Sequence, residues 1–384
     1  MGSWGAPRPL ATTPVGLYVH VPFCLRRCGY CAFNTYAVEG TDPSGRYASY
    51  LDGVRRELDR AAVALAGAPP LGSIYLGGGT PTLLGAHALA QILHAVRQRL
   101  DVAPDAEVTV EANPDTVDRR SLGALTACGF DRLSVGMQSA DPAVLRLLDR
   151  AHEADRAPAT VALGRDAGFR SINLDLIAGT PGETADSWRR TVAAALAAGP
   201  DHLSVYSLTI EPGTRLAARV RSGALPPPDD GDQADRYLWT DERLRGAGYH
   251  WYELSNWARS GEHRSRHNLT YWRNFHWWGI GPGAHSHLAG RRWWNERDPE
   301  RWARLLADGS DPAAGGEDVD HSASRTEELL LAVRLADGIP TNDLDPAAVA
   351  TLTGDGLVHA LGPDRVVLTT RGRLLADDVV LALL

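Results

Sequence analysis

Cys24, Cys28 and Cys31 stand within eight residues in the stretch CLRRCGYC, and the chain has one cysteine more, Cys128. So few cysteines, three of them this close, point to metal or redox chemistry before structural disulfides, because near neighbours close loops too short to staple much chain. A closed zinc site wants four ligands, and the nearest fourth candidate, His20, precedes the triplet at a spacing unlike a zinc ribbon. An iron–sulfur cluster suits the pattern better: thiolates are its usual ligands, and a tight loop can wrap three corners of a cubane. Electron-carrying clusters take four cysteines, so three leave one iron without a protein ligand and open to chemistry. Cys128, in TACGFDRLS, ends a predicted helix ahead of a strand and is expected to be a buried small hydrophobe rather than a fourth ligand.

A loop that carries a cluster needs a scaffold. Strand-like and helix-like patterns alternate through the first two-thirds of the chain, which favours parallel βα units. Strands are expected at LYVHV from Leu17, SIYL from Ser73, EVTVE from Glu107, RLSVG from Arg132, INLDLI from Ile172 and HLSVYSL from His202. Stretches of helical spacing lie between them, such as YLDGVRRELDRAAVALA and ADSWRRTVAAALAAG. Six units predict an α/β fold, an incomplete (β/α)6 barrel, whose chemistry gathers at the C-terminal ends of the strands. The first five strands end in or lead into something polar or glycine-rich: the cysteine loop, Gly77-Gly78-Gly79-Thr80-Pro81, Glu111-Ala112-Asn113-Pro114, Gln138 and Asp175. All five would open into one mouth.

In that order, CxxxCxYC, GGGTPT, EANP, SVGMQS and DLIAGTPGET resemble the radical S-adenosylmethionine (SAM) superfamily. Within it they resemble the branch of the oxygen-independent coproporphyrinogen III oxidase and the HemW-type haem chaperones, over nearly the whole chain. The resemblance implies a [4Fe–4S] cluster on Cys24, Cys28 and Cys31, with SAM chelating the fourth iron through its amino and carboxylate groups. Gly78 and Gly79 would then let their backbone approach the methionyl group, and Thr80 would add a hydroxyl. A phosphate loop fits poorly, since neither GxGxxG nor a lysine-bearing P-loop is present. Arg150, in LLDRAH, would grip the SAM carboxylate with its planar fork. Glu111, Gln138 and Asp175 would bond the amino group and ribose hydroxyls, and Tyr18 and Tyr30 would wall the pocket. Taken singly, each has a plainer role as a surface arginine, a helix cap or a packed tyrosine.

From Trp251 to Trp302 the chain holds eight of its eleven tryptophans. A filled core or domain interface is the ordinary reading of such a cluster. His267-Asn268-Leu269-Thr270-Tyr271-Trp272, however, reproduces the HNxxYW pattern of the HemW-type group, and haem needs broad apolar faces and often an axial histidine. His267, His285 and His287 are the haem-ligand candidates. The related oxidase carries a further cysteine two residues after the third, where this chain has Phe33, and a longer N-terminal extension than the 16 residues before Leu17. The resemblance therefore favours a protein that binds haem and delivers it to haem-requiring proteins. The alternative is a radical enzyme, a porphyrinogen decarboxylase or a related methyltransferase, that cleaves SAM reductively to a 5′-deoxyadenosyl radical.

Composition bounds these readings. A net charge of −8 argues against a dominant nucleic-acid role. All 39 basic residues are arginine, which excludes a P-loop lysine and a lysine Schiff base. No apolar run approaches the roughly 20 residues of a membrane span, and MGSWGAPRPLATTP has neither the basic start nor the apolar stretch of a signal peptide. The expected location is the cytoplasm, with peripheral membrane association left open. SGALPPPDDGD around Pro226 is expected to be a stiff, turn-like linker, and DGSDPAAGGEDVDHSAS from Asp308 a mobile one. They divide the chain into a barrel at 1–225, an aromatic-rich extension at 226–307, and a small helical or winged-helix-like C-terminal domain at 323–384.

Overall fold

The computed structural model describes residues 8–38 and 43–384; the signal-peptide reading, drawn from residues 1–14, falls half outside them. Strict alternation builds its central sheet. In β1 (Val15–Val21), Leu17, Val19 and Val21 are buried in the main core, whereas Tyr18 and His20 point to the opposite face. Registers carry that alternation through β2 (Leu71–Gly78), β3 (Val102–Ala112), β4 (Arg132–Gln138), β5 (Ser171–Ala178) and β6 (His202–Ser207). Tyr18 lies level with Tyr75 and Thr109, Glu111 with Ser134 and Asn173, and Gly136 with Asp175 and Ser204. One face of the sheet is thus a polar lumen. The other, with Leu76, Val110, Val135, Leu174 and Leu203, joins the main core.

The helices that cover this outer face are α1 (Ser44–Ala64), α2 (Ala86–Arg99), α3 (Arg119–Cys128), α4 (Arg156–Ala167) and α5 (Ala185–Ala198). Gly129, Gly168 and Gly199 end the last three at φ of +98°, +93° and +66°, a left-handed turn that glycine makes without strain and that aims the chain at the next strand.

Residues 226–307 supply α6 (Asp230–Gly246), α7 (Arg266–Trp272) and α8 (Pro299–Ala307), with β7 (His250–Glu253), β8 (Asn256–Ala258), β9 (His276–Ile280), β10 (His285–Leu288) and β11 (Arg291–Asn295). With β12 (Ala313–Asp318) the sheet has twelve strands, in the order β12-β11-β10-β9-β1-β2-β3-β4-β5-β6-β8-β7. The six expected strands therefore gain a seventh parallel neighbour, β9, which pairs with the open edge of β1. Trp278 and Ile280 of β9 extend the apolar outer face, so the aromatic-rich extension completes the barrel sheet at both edges instead of folding by itself. The segment expected to be mobile is also corrected: β12 lies within it and pairs with β11. Its glycines make this possible, because a Cβ on Gly315 would stand 2.6 Å from the Trp294 ring that covers it.

The C-terminal part runs α9 (His321–Ala332), β13 (Ile339–Pro340), α10 (Pro346–Gly354), β14 (Val358–Ala360), β15 (Arg365–Leu368), α11 (Thr370–Leu374) and α12 (Ala376–Leu383). Its three strands form their own sheet, in a winged-helix-like order, over a separate core of Leu329, Ile339, Leu352, Val366 and Val379. Arg373 fastens it to α6 by a two-armed ion pair with Asp241, at 2.9 and 2.8 Å, beneath the Trp251 ring. Among the described residues, no helix is long and apolar enough to cross a membrane.

Candidate cluster and cofactor site

The cysteine loop leaves β1 at the mouth of the lumen. A short parallel pair, Phe23–Cys24 with Tyr36–Ala37, closes its base, and Val38 N donates to Cys24 O at 2.9 Å. Gly29 N donates to Leu148 O, and a Cβ at Gly29 would come within 2.5 Å of the Asp149 carboxylate. The loop is therefore pressed against the segment that carries Arg150. Cys24, Cys28 and Cys31 are all free and half-buried. Among the described residues, no three His, Cys, Asp or Glu side chains stand close enough to hold a single metal ion. Burial pushes the Cys24 thiol up to about 11 and raises Cys31; a metal centre held there would draw their protons off.

The glycine loop after β2 meets the cysteines directly. Gly79 N and Thr80 N donate to Val21 O and Phe23 O, both at 2.8 Å, and Thr80 Oγ1 lies 3.8 Å from Cys24 Sγ. A Cβ on Gly79 would sit 2.5 Å from Phe23 O and 3.0 Å from Cys24 Sγ. Gly78, at φ +111°, has the His20 ring 2.5 Å from where a Cβ would stand. Glu111 steadies this loop from β3: its carboxylate accepts from Gly78 N at 2.9 Å and from Tyr75 OH at 2.7 Å, while burial pushes its carboxyl up to about 7.

On the far side of the loop, Arg150 Nη1 approaches Cys28 Sγ at 3.6 Å and Nη2 donates to Gly136 O at 2.9 Å. Gln138, at φ +64° beside a register shift in β4, stands over the same glycine, where a Cβ would meet both side chains at about 3 Å. Asp175 sits one level down in the lumen. It accepts from Asn173 Nδ2 at 2.8 Å and Ser134 Oγ at 3.0 Å, and burial raises its carboxyl. Tyr18 OH donates to His20 Nδ1, and His20 Nε2 in turn donates to Asn34 O. Tyr30 packs against a small apolar cluster of Val144, Leu148 and Ile177, with Arg150, Cys28, Cys31 and Asp175 near enough to act on its hydroxyl.

Two buried polar atoms test whether these residues suit a cluster and its cofactor. Arg150 Nε has no hydrogen-bond partner, and neither has the Thr35 hydroxyl, which lies near enough to Cys24 and Cys31 to favour their thiolates without a well-formed bond. Donors left unmet beside three thiols are what an anionic sulfide cluster and a carboxylate would satisfy. Cys128 is elsewhere. It ends α3 ahead of β4, so it lies at the floor end of the strands, roughly 20 Å of strand from the mouth. It is half-buried against the core rather than fully buried.

The three histidine candidates separate sharply. His267 lies on α7, which plugs the barrel floor: Arg266 N and His267 N both donate to the Glu107 carboxylate at 3.1 Å. Both nitrogens of its ring are bonded, to Ser73 Oγ at 3.0 Å and Tyr271 OH at 2.8 Å, and its face stacks on Tyr75 at 5.0 Å. Burial lowers it to about 3. His287 is buried, with Nδ1 donating to Phe275 O at 3.2 Å. His285 alone of the three lines a cavity of about 720 Å³ at the mouth, shared by Tyr18, Gly78, Glu111, Phe33 and Trp294. Asn34 and Arg297, which the sequence reading missed, also line it, as do His20, weighed there only as a zinc ligand, and Tyr271 of the HNxxYW motif. His20 was signalled by its place two residues beyond Tyr18 on a strand; Arg297 carried no local signal.

Cluster loop, glycine loop and polar lumen together define a radical SAM protein, and the sequence profile of the radical SAM superfamily matches residues 18–195. The chain is 48% identical over 382 residues to the heme chaperone HemW of Mycobacterium tuberculosis, covering 98% of this chain and 96% of that one. It is 32% identical to the heme chaperone HemW of Bacillus subtilis, with 94% and 97% covered. The chain belongs to the HemW family. Among solved structures, the coproporphyrinogen III oxidase of Escherichia coli, described as a radical SAM enzyme, superposes with a TM-score of 0.81 over 97% of this chain and 90% of its own. At 24% identity that likeness establishes a shared fold.

Proposed function

We propose that this chain is a cytoplasmic haem chaperone: it holds a [4Fe–4S] cluster on Cys24, Cys28 and Cys31, binds SAM beside it, takes up haem and passes it to haem-requiring acceptor proteins. The reading rests above all on one observation: the cavity at the cluster loop is walled by Phe33, Trp277 and Trp294 as well as by polar groups. Phe33 is 67% exposed, an apolar ring held out beside the cluster loop where the related oxidase has a cysteine. When bound, SAM and the cluster supply one-electron chemistry at the iron that no cysteine serves. This chain's residues would do the holding. Gly78, Gly79 and Thr80 would give close backbone approach and a hydroxyl, Arg150 would hold the carboxylate, and Glu111 and Gln138 would bond the ammonium group and ribose hydroxyls. Asp175 would join them at the amino group or ribose, and Tyr18 and Tyr30 would wall the pocket.

Anaerobically reconstituted protein is expected to bind haem stoichiometrically, seen as a shifted Soret band, and to leave coproporphyrinogen III unchanged in the presence of SAM and reductant. Loss of two carboxyl groups from that substrate, by mass and above a cluster-free control, would make the decarboxylase reading primary. For the SAM site, Arg150→Ala is expected to weaken SAM by about 1.5 to 3 kcal/mol, the range for a hydrogen bond to a charged group. Titrations should use samples of matched iron content, because Arg150 also touches Cys28. Equal affinity in such samples removes Arg150 from the SAM site.

A further inference from the structure

The mouth cavity contains two imidazoles, and they are not equivalent. His20 has both ring nitrogens bonded, to Tyr18 and to Asn34. His285 is exposed, and its ring makes no hydrogen bond among the described residues. Its position is nevertheless well defined. Cross-strand pairing of β10 with β11 sets it opposite Trp294, and the two rings lie nearly parallel, 29° apart with centroids at 5.8 Å. Its carbonyl accepts from Trp277 Nε1 at 3.1 Å, which fixes that indole beside it. An unbonded imidazole stacked on one tryptophan, in a cavity that Trp277 and Phe33 also line, is free to serve as a metal ligand.

Charge at the rim adds a second feature. Arg297 lines the same cavity, and among the described residues its guanidinium makes no ion pair; its Nε reaches only Asn34 Oδ1, at 3.5 Å. A flat apolar disc bearing an iron at its centre and carboxylates at its edge fits this set: an axial nitrogen, aromatic faces and a cation at the rim. The volume, about 720 Å³, lies within the range of small-molecule sites.

Resting on the haem-chaperone reading, we propose that haem is seated in this mouth cavity with His285 as an axial ligand to its iron, Trp277 and Trp294 against the macrocycle, and Arg297 on a propionate. His267 and His287 are then structural residues of the floor and the sheet. Haem then takes the outer part of the cavity, by Phe33, His285, Trp294 and Arg297, and leaves the inner wall of Tyr18, Gly78 and Glu111 to SAM.

The test is a haem titration of the full chain, reconstituted anaerobically, followed by absorption and low-temperature electron paramagnetic resonance of the ferric complex. In His285→Ala the histidine-ligated signature is expected to vanish and affinity to fall about tenfold or more, with added imidazole restoring the signature; tenfold corresponds to about 1.4 kcal/mol. His287→Ala is expected to keep the wild-type spectrum. Arg297→Ala should weaken haem about twofold to fivefold, as for an exposed ion pair, but leave the dimethyl ester of haem unaffected. An unchanged spectrum and affinity in His285→Ala overturns this assignment while the chaperone reading stands. Failure of the wild-type chain to bind haem overturns both.

Discussion

Replacing Cys24, Cys28 or Cys31 singly by alanine is expected to leave anaerobically reconstituted protein with no stable [4Fe–4S] cluster, whereas Cys128→Ala retains its full iron and sulfide content. The asymmetry follows from placement. The three loop thiols are free, half-buried and gathered at the mouth, while Cys128 ends α3 at the opposite end of the strands. Loss of any one would leave two thiolates, fewer than a cubane held on one loop requires. Iron and sulfide analysis with the visible absorption of the cluster measures this directly. A cluster missing from Cys128→Ala, or retained in any of the three loop variants, would sink the ligand assignment.

Glu57→Ala is expected to cost about 3 to 5 kcal/mol of stability, an effect large enough to unfold the apo-protein at moderate urea. Glu57 lies on α1 and is buried, and its carboxylate accepts from Gly281 N at 2.8 Å, Asn295 Nδ2 at 2.6 Å and Trp302 Nε1 at 3.2 Å. It therefore ties the aromatic-rich extension to the first helix of the barrel. Truncation would leave three buried donors unmet, each at about 1 to 3 kcal/mol, less whatever water recovers. A pH signature accompanies the loss. Burial pushes Glu57 up from its ordinary value to about 7 in the folded chain. The folded state thus binds the extra proton between about 4.5 and 7, and this group's contribution is fully present below that window and lost as pH rises through 7. Urea unfolding at pH 5 and pH 8 should show a smaller pH slope in Glu57→Ala than in the wild type, the remainder coming from other carboxyls raised by burial, such as Glu111. Equal slopes, or a stability change below about 1 kcal/mol, would mean that the clamp is solvated and unimportant.

Much of the site was legible because it is local. Cysteine spacing, the glycine loop and the polar residues at strand ends are consecutive in the chain, and alternation along a strand sends them to one mouth. The lumen itself follows from the same rule: Tyr18, Tyr75, Glu111, Ser134 and Asp175 occupy inward positions because Leu17, Leu76, Val110, Val135 and Leu174 take the outward ones. The tryptophan-rich region was harder to read. Its composition fits packing and ligand binding equally, and the structure divides it between them: Trp257, Trp278 and Trp302 fill the core, while Trp277 and Trp294 face the cavity. A pairing of edge strands made that division, and it brings together residues that no periodicity relates.

The amino-acid sequence by itself therefore determined the cysteine loop, the parallel βα scaffold and the family, since each depends on neighbours in the chain or on the two-residue and 3.6-residue periods of regular structure. Only the tertiary structure decided how each histidine is held. His267, in the most recognisable motif, is held at the barrel floor by Ser73 of β2 and by Tyr271 one turn along its own helix, and His285, in no striking motif, is left unbonded at the mouth. A ring nitrogen is available or not according to partners that lie far away in sequence, 194 residues in the case of Ser73 and His267, and folding alone brings those partners within reach.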